Sequence, residues 1–228
     1  MYKGSILTPK EIETLREGGK ILSRILRALL RMALQRKTGD EIEEEATRLI
    51  KEARGKPAFR EAVNEEGQRY PATICLSLNE EVVHCLPYGK KIRSNDVVSI
   101  DIGMRYKGLV VDMAWTVYGG KDRQIKRLLR ANKEALFRAL KSASAKNFAE
   151  DISLQIQKTA QKYGFYPVKE LSGHGIGHLL HGEPSVYNYF PGEKSQPLLK
   201  NLALAVEPIF ALKKYERLQY LKPWGIII

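Results

Sequence analysis

The chain has only four histidines, and all fall in two short segments: His84 in VVHCLP, and His174, His178 and His181 in SGHGIGHLLHGEP. Three imidazoles within eight residues, among glycines that let backbone approach closely, form a pattern that an isolated surface histidine does not produce. The Gly173–Gly177 run is too glycine-rich for a helix, which excludes an HExxH-type zinc site. Carboxylates add to this set. In VVSIDIGMRYKGLVVDMAWTVY, residues 97–118, Asp101 and Asp112 sit in β-rich runs on either side of a turn-prone Arg105–Gly108. If the hairpin centres between Tyr106 and Lys107, the two aspartates face each other directly, with Cβ atoms roughly 5 Å apart. Aspartate is disfavoured in strands and like charges repel, so either a cation lies between them or the hairpin face is solvated. Glu207, within the apolar ALAVEPIFAL, is costly to bury ionised without a cation. Two aspartates, a glutamate and an imidazole make an oxygen-rich donor set suited to Mn, Fe, Co or Zn.

The elements that must position these residues are readable from periodicity and punctuation. Thr8-Pro9-Lys10-Glu11 carries an N-cap, a first-turn proline and a capping-box glutamate, followed by Ile12, Leu15, Leu22, Ile25, Leu26, Leu29 and Leu30 near helical spacing. Thr38-Gly39-Asp40-Glu41 repeats the capping signal and opens a helix closed by Gly55 and Pro57. From Tyr70 onward the pattern turns to strands at 72–78, 81–86 and 97–103. A basic helix is predicted over 122–144 with Ile125, Leu128, Leu129, Leu136, Phe137 and Leu140 as its apolar stripe, and another helix over 149–163. Strand-like character returns around 202–212. Helices then strands occur in 8–118 and again in 122–212, which predicts an α+β domain with helices backing an antiparallel sheet. No Pro- or Ser-rich linker intervenes, so residues 1–228 are expected to form one domain.

The 228 residues are 43% hydrophobic and 28% charged, a composition that excludes a disordered chain. There is no signal-peptide pattern, and no apolar stretch approaches the ~20 residues that span a bilayer. Two cysteines are too few for a disulfide framework, so a cytoplasmic protein is expected. Residues 121–146 hold nine Lys/Arg against Asp122 and Glu134. Such a stretch either docks on a polyanion such as ribosomal RNA or is a solvated helix face.

In order and spacing these segments resemble the type I methionine aminopeptidases. The resemblance rests on GKPAF from Gly55, YPATICLSLNEEVVH over 70–84, the aspartates eleven residues apart, GHGIG at 173–177, HGEP at 181–184 and VEP at 206–208. It implies the pita-bread fold, an α+β architecture with an internal pseudo-twofold duplication, and removal of the initiator methionine from nascent polypeptides. By the same resemblance Asp101, Asp112, His174 and Glu207 bind two divalent metals, with Asp112 bridging. His84 assists proton transfer at the leaving group, His181 orients the substrate carbonyl, and Tyr70, Cys75 and Trp224 line the methionine pocket. A monomer docked on the ribosome through 121–146 is the expected form. Cys85-Leu86, Met113 and Leu180 depart from the family pattern. A second bridging glutamate, on a closing strand, is expected beyond Ile228, so the sequence reads as cut short, with one metal held tightly and Gly225–Ile228 left as an unpaired apolar edge. Two alternatives stand beside this reading. A proline-specific relative usually has a long N-terminal domain, for which the residues before Thr8 leave no room. A non-catalytic module of the same fold would bind ribosome or nucleic acid through its basic face.

Overall fold

A computed structural model describes every residue except Met1, Lys3 and Glu65. Along the chain the elements are α1 (Pro9–Leu34), α2 (Gly39–Glu52), β1 (Lys56–Pro57), β2 (Ile74–Leu78), β3 (Glu81–Val83), β4 (Val97–Tyr106) and β5 (Leu109–Tyr118). There follow α3 (Arg123–Ser142), α4 (Ala149–Tyr163), β6 (Tyr166–Pro167), β7 (Ser172–Gly175), β8 (Gly182–Tyr187), β9 (Leu204–Ala205) and β10 (Phe210–Ala211). Last come β11 (Gln219–Tyr220) and β12 (Ile226–Ile227). The chain divides into two compact units. The first comprises Glu11–Lys121 with Arg217–Ile228, and the second Asp122–Glu216 with Met1–Lys10.

In the first unit, β4 is flanked by β2 on one side and β5 on the other, all antiparallel. Helices α1 and α2 back this sheet because each presents one apolar stripe: Leu22, Ile25, Leu26 and Leu29 from α1, and Ile42, Ala46 and Ile50 from α2. These pack with Ile74, Leu76, Ile100 and Ile102 from the strands. Helix α2 begins with the capping box read from the sequence. Glu41 N–H donates to Thr38 Oγ1 at 3.2 Å and Thr38 N–H to Glu41 Oε2 at 2.7 Å. The C-terminal isoleucines do not form an unpaired edge, contrary to the sequence expectation. β12 is the middle strand of a β11–β12–β3 sheet, and Ile228 N–H donates to Glu80 O at 3.1 Å. An apolar strand with partners on both sides needs no charged gatekeeper.

The second unit repeats the plan with shorter strands. Its core gathers α3, α4 and the residues Phe165, Val186 and Phe210. Here the predicted stripe of α3 is corrected. The buried face is Ala131, Ala135 and Ala139, while Phe137 and Leu140 are about half exposed. Small residues at i, i+4 and i+8 let α3 and α4 approach closely, with Leu128 packing at the edge of this core and Phe137 and Leu140 turned outward. The strand expected over 202–212 is also two pieces in different sheets. β9 pairs with β7 and β10 with β6, with Pro208 between them unable to donate to a ladder.

Candidate active site

The carboxylates of the first unit ride on the β4–β5 hairpin. Lys107 (φ +48°) and Gly108 (φ +90°) both take the left-handed conformation that a two-residue type I′ turn demands. The turn therefore centres one residue later than the sequence suggested. Asp101 lies opposite Ala114 and Asp112 opposite Gly103, so the aspartates are not directly opposed but diagonal neighbours. The offset of two keeps both on one face of the sheet, at a diagonal Cα spacing of roughly 7–8 Å that carboxylate side chains can narrow.

That same face carries an aromatic group. Cys75 pairs with Asp101 across β2–β4 and so shares its face. Gly103 has no side chain there, and a Cβ on it would sit 2.6 Å from the Phe59 ring. Phe59 meets Tyr70 edge-on at 6.4 Å, and Tyr70 meets Trp224 edge-on at 5.0 Å. The Tyr70 hydroxyl is fixed by donating to Ile74 O and Cys85 O at 3.0 and 3.2 Å. Burial, and next the nearby Cys75, raise the Tyr70 phenol. Burial also pushes the Cys75 thiol well up, with the charge of Asp101 second, so Cys75 offers an uncharged sulfur wall beside the carboxylates. His84 follows β3, exposed, with φ +59°. A left-handed histidine is uncommon, and such backbone concentrates at functional sites.

In the second unit, β7 carries His174 between two close-packed glycines. A Cβ on Gly173 would lie 2.3 Å from Ala205 O, and one on Gly175 would lie 2.1 Å from Glu183 O. The β7–β8 register shifts between Gly173 and Gly175, leaving His174 at the irregularity. His174 pairs with Ala205 on β9, and Glu207 follows two residues later. His174 Nδ1 lies 3.0 Å from Gly175 O, and since a carbonyl only accepts, Nδ1 carries the proton. Nε2, the other ring nitrogen, lies 3.3 Å from Glu207 Oε1. That oxygen is buried and accepts no hydrogen bond among the described residues. The His181 ring stands at 80° to the His174 ring with centroids 4.5 Å apart. His178 is exposed and outside this pair. The two rings, Leu179 and Glu183 form walls of a cleft of about 490 Å³. Among the described residues no three His, Cys, Asp or Glu side chains make a metal-holding group.

The profile of metallopeptidase family M24 matches residues 13–226. The chain belongs to metallopeptidase family M24. A methionine aminopeptidase of Aquifex aeolicus is 34% identical over 226 residues, covering 97% of this chain and 88% of the relative. Methionine aminopeptidase 1 of Bacillus subtilis is 32% identical, covering 89% and 80%. The crystal structure of methionine aminopeptidase from Thermotoga maritima superposes with a TM-score of 0.91 at 33% identity, covering all of this chain and 89% of that one. The M24 chain accordingly has the α+β pita-bread fold and is a metallopeptidase that uses divalent metal. Its own residues fit such an ion. Two donors about 2.1 Å from one metal, at about 90–110° to each other, lie about 3.0–3.4 Å apart, and the His174–Glu207 pair spans 3.3 Å. An imidazole nitrogen beside a buried carboxylate oxygen is a pair that a shared cation, whether a proton or a divalent metal, satisfies.

Sequence reasoning missed two groups in the M24 chain. Glu43 on α2, 5% exposed, accepts from Thr73 N–H at 2.7 Å and Ile74 N–H at 3.1 Å, anchoring the start of β2 just before Cys75. Its signal was a glutamate next to Ile42 and three residues before Ala46, on the stripe that faces the core. Glu183 lines the cleft, and only its place within HGEP pointed there.

Proposed function

We propose that this chain hydrolyses the first peptide bond of nascent polypeptides to release the initiator methionine. Asp101 and Asp112 of the first unit and His174 and Glu207 of the second are the proposed ligands of two divalent ions, drawn from Co, Mn, Fe and Zn. The observation that supports this most is the His174 Nε2–Glu207 Oε1 approach, with Nδ1 turned to Gly175 O and a buried carboxylate oxygen that no donor satisfies among the described residues. A bound divalent ion supplies Lewis acidity, polarising the scissile carbonyl and making water a nucleophile near neutral pH. Within this reading His181 hydrogen-bonds the substrate carbonyl as it gains negative charge, and His84 holds a proton near the leaving amine. Tyr70, Cys75 and Trp224 receive the thioether side chain, for which an apolar aromatic wall with an uncharged sulfur is well matched.

The test pairs metal analysis with turnover. After dialysis the protein should retain divalent transition metal, and Asp112→Asn should retain less. The protein should release Met from peptides whose second residue is small. Equal and negligible metal in both proteins, with no Met release, rejects the reading.

We place the reaction in the cytoplasm, with α3 as the docking element for ribosomal RNA. Arg127 is unsuited as a probe of docking, since it donates to Tyr163 O at 2.6 Å and lies over the Tyr163 and Phe165 rings. Lys126 and Arg130 are exposed. Reversing both to glutamate should abolish salt-sensitive co-pelleting with ribosomes. Pelleting that ignores salt and both reversals returns α3 to a solvated helix face.

A further inference from the structure

Residues Gly4–Leu7 of the second unit run along the glycine-rich segment that joins β7 to β8. Gly4 O accepts from His178 N–H at 2.9 Å, Ser5 O from Ala203 N–H at 2.8 Å, and Leu7 N–H donates to Asn201 O at 3.0 Å. Ile6 bridges antiparallel to Leu202. This strap is therefore tied both to the loop bearing the histidines and to the lead-in of β9, which ends just before Glu207.

Ser5 is the centre of the contact. It is fully buried, yet its hydroxyl has no hydrogen-bond partner among the described residues. A Cβ on Gly175 would lie 2.3 Å from Ser5 Oγ, and a Cβ on Gly182 would lie 2.8 Å from it. One small side chain thus fills the hollows of both glycines, one following His174 and the other following His181. Leaving a buried hydroxyl unsatisfied costs free energy, so hydrogen bonding does not explain its presence. Its volume does, because the space between two glycines admits a two-atom side chain and little more.

We infer that Ser5 is a positioning residue for the imidazole pair: by wedging Gly175 and Gly182 it sets the edge-to-face placement of His174 and His181. The inference rests on the methionine aminopeptidase reading for its activity arm only. Ser5→Ala separates positioning from simple stability. It deletes an unsatisfied hydroxyl, so the melting temperature should hold or rise, whereas the loosened glycines should lower kcat roughly tenfold with KM within about twofold. Ser5→Cys, which keeps a two-atom side chain and refills the space with a slightly larger atom, should recover most of the rate.

A second readout needs no turnover. In metal-free protein the ring resonances of His174 and His181 should shift in Ser5→Ala, while that of His84, in the other unit, stays in place. A kcat within about twofold of wild type together with unmoved His174 and His181 resonances overturns the inference. A fall in kcat that tracks a fall in melting temperature, without recovery in Ser5→Cys, overturns it as well. Absence of Met release by the wild type would instead reject the proposed function and leave the resonances to decide about Ser5.

Discussion

The first unit carries its carboxylates on two ten-residue strands of a regular hairpin, whereas the second carries His174 and Glu207 on or beside strands of four and two residues. In the hairpin, spacing comes from register: once the Lys107-Gly108 turn is set, every pair from Tyr106–Leu109 to Val97–Tyr118 follows. In the second unit no ladder is long enough to do this. Placement comes instead from close contacts at Gly173 and Gly175 and from the strap at Ser5. Regular structure tolerates side-chain change because backbone hydrogen bonds carry the geometry. Contact-held structure transmits every added methyl.

The largest effects belong to the proposed ligands, one taken from each unit. Glu207→Gln and Asp101→Asn each remove one anionic donor, and both should lower kcat/KM by about 10³-fold or more, since metal chemistry carries the reaction. If either variant keeps wild-type turnover and wild-type metal content, that unit's pair is not a ligand pair. His84→Ala comes next, with kcat reduced roughly 10²-fold and bound metal unchanged. An unaltered kcat removes His84 from the chemistry.

The two kinds of scaffold separate most sharply at their glycines. Gly173→Ala drives a methyl against backbone at 2.3 Å and should cost about 3 kcal/mol of stability, while Gly108→Ala, at φ +90° with open space around it, should cost about 1 kcal/mol. Urea denaturation of both variants ranks them, and the reverse order would refute the distinction drawn between the units.

The smallest effect is one the units share. Glu41 in the first is held at about 2 by Lys37 and then by the Thr38 N–H. Glu134 in the second is held at about 2 by Lys162 and then by the Tyr163 hydroxyl. Both folded values lie below the ordinary 4.5, so their stabilisation is complete above pH 4.5 and is lost as pH falls toward 2. Glu41→Gln and Glu134→Gln should each flatten the acid limb of the stability curve in that window, slightly because both ion pairs are open to solvent screening. Limbs superposable on wild type would show that these ion pairs persist only weakly in solution.

The sequence made the hairpin visible through alternating apolar residues, but not its register, because that depends on which two residues turn left-handed, and Arg105–Gly108 offered more than one choice. It made α3 visible but not its buried face. A rule that seeks large apolar residues passes over Ala131, Ala135 and Ala139, which are buried because they are small. The apolar end at Ile226–Ile227 looked like an exposed edge because β11 is two residues long with no strand pattern of its own, and nothing in the pattern of β3 marks its distant partner. Glycines around His174 were legible as permission for close approach. What approaches, Ser5, lies some 170 residues away in sequence, and no local pattern marks it.

The two-residue turn at Lys107-Gly108 also bears on when the donor atoms meet. Asp101 and Asp112 are joined by one short loop, and hairpins of this kind close in about 1–10 μs. His174 and Glu207 are 33 residues apart in sequence, so their encounter must wait for a longer closure and for α4, β8 and β9 to be in place. During maturation the chain thus presents a carboxylate pair to solution before the imidazole–carboxylate pair exists. If the two aspartates are ligands, as proposed, an ion arriving at that stage would meet oxygen donors alone, which favours harder cations.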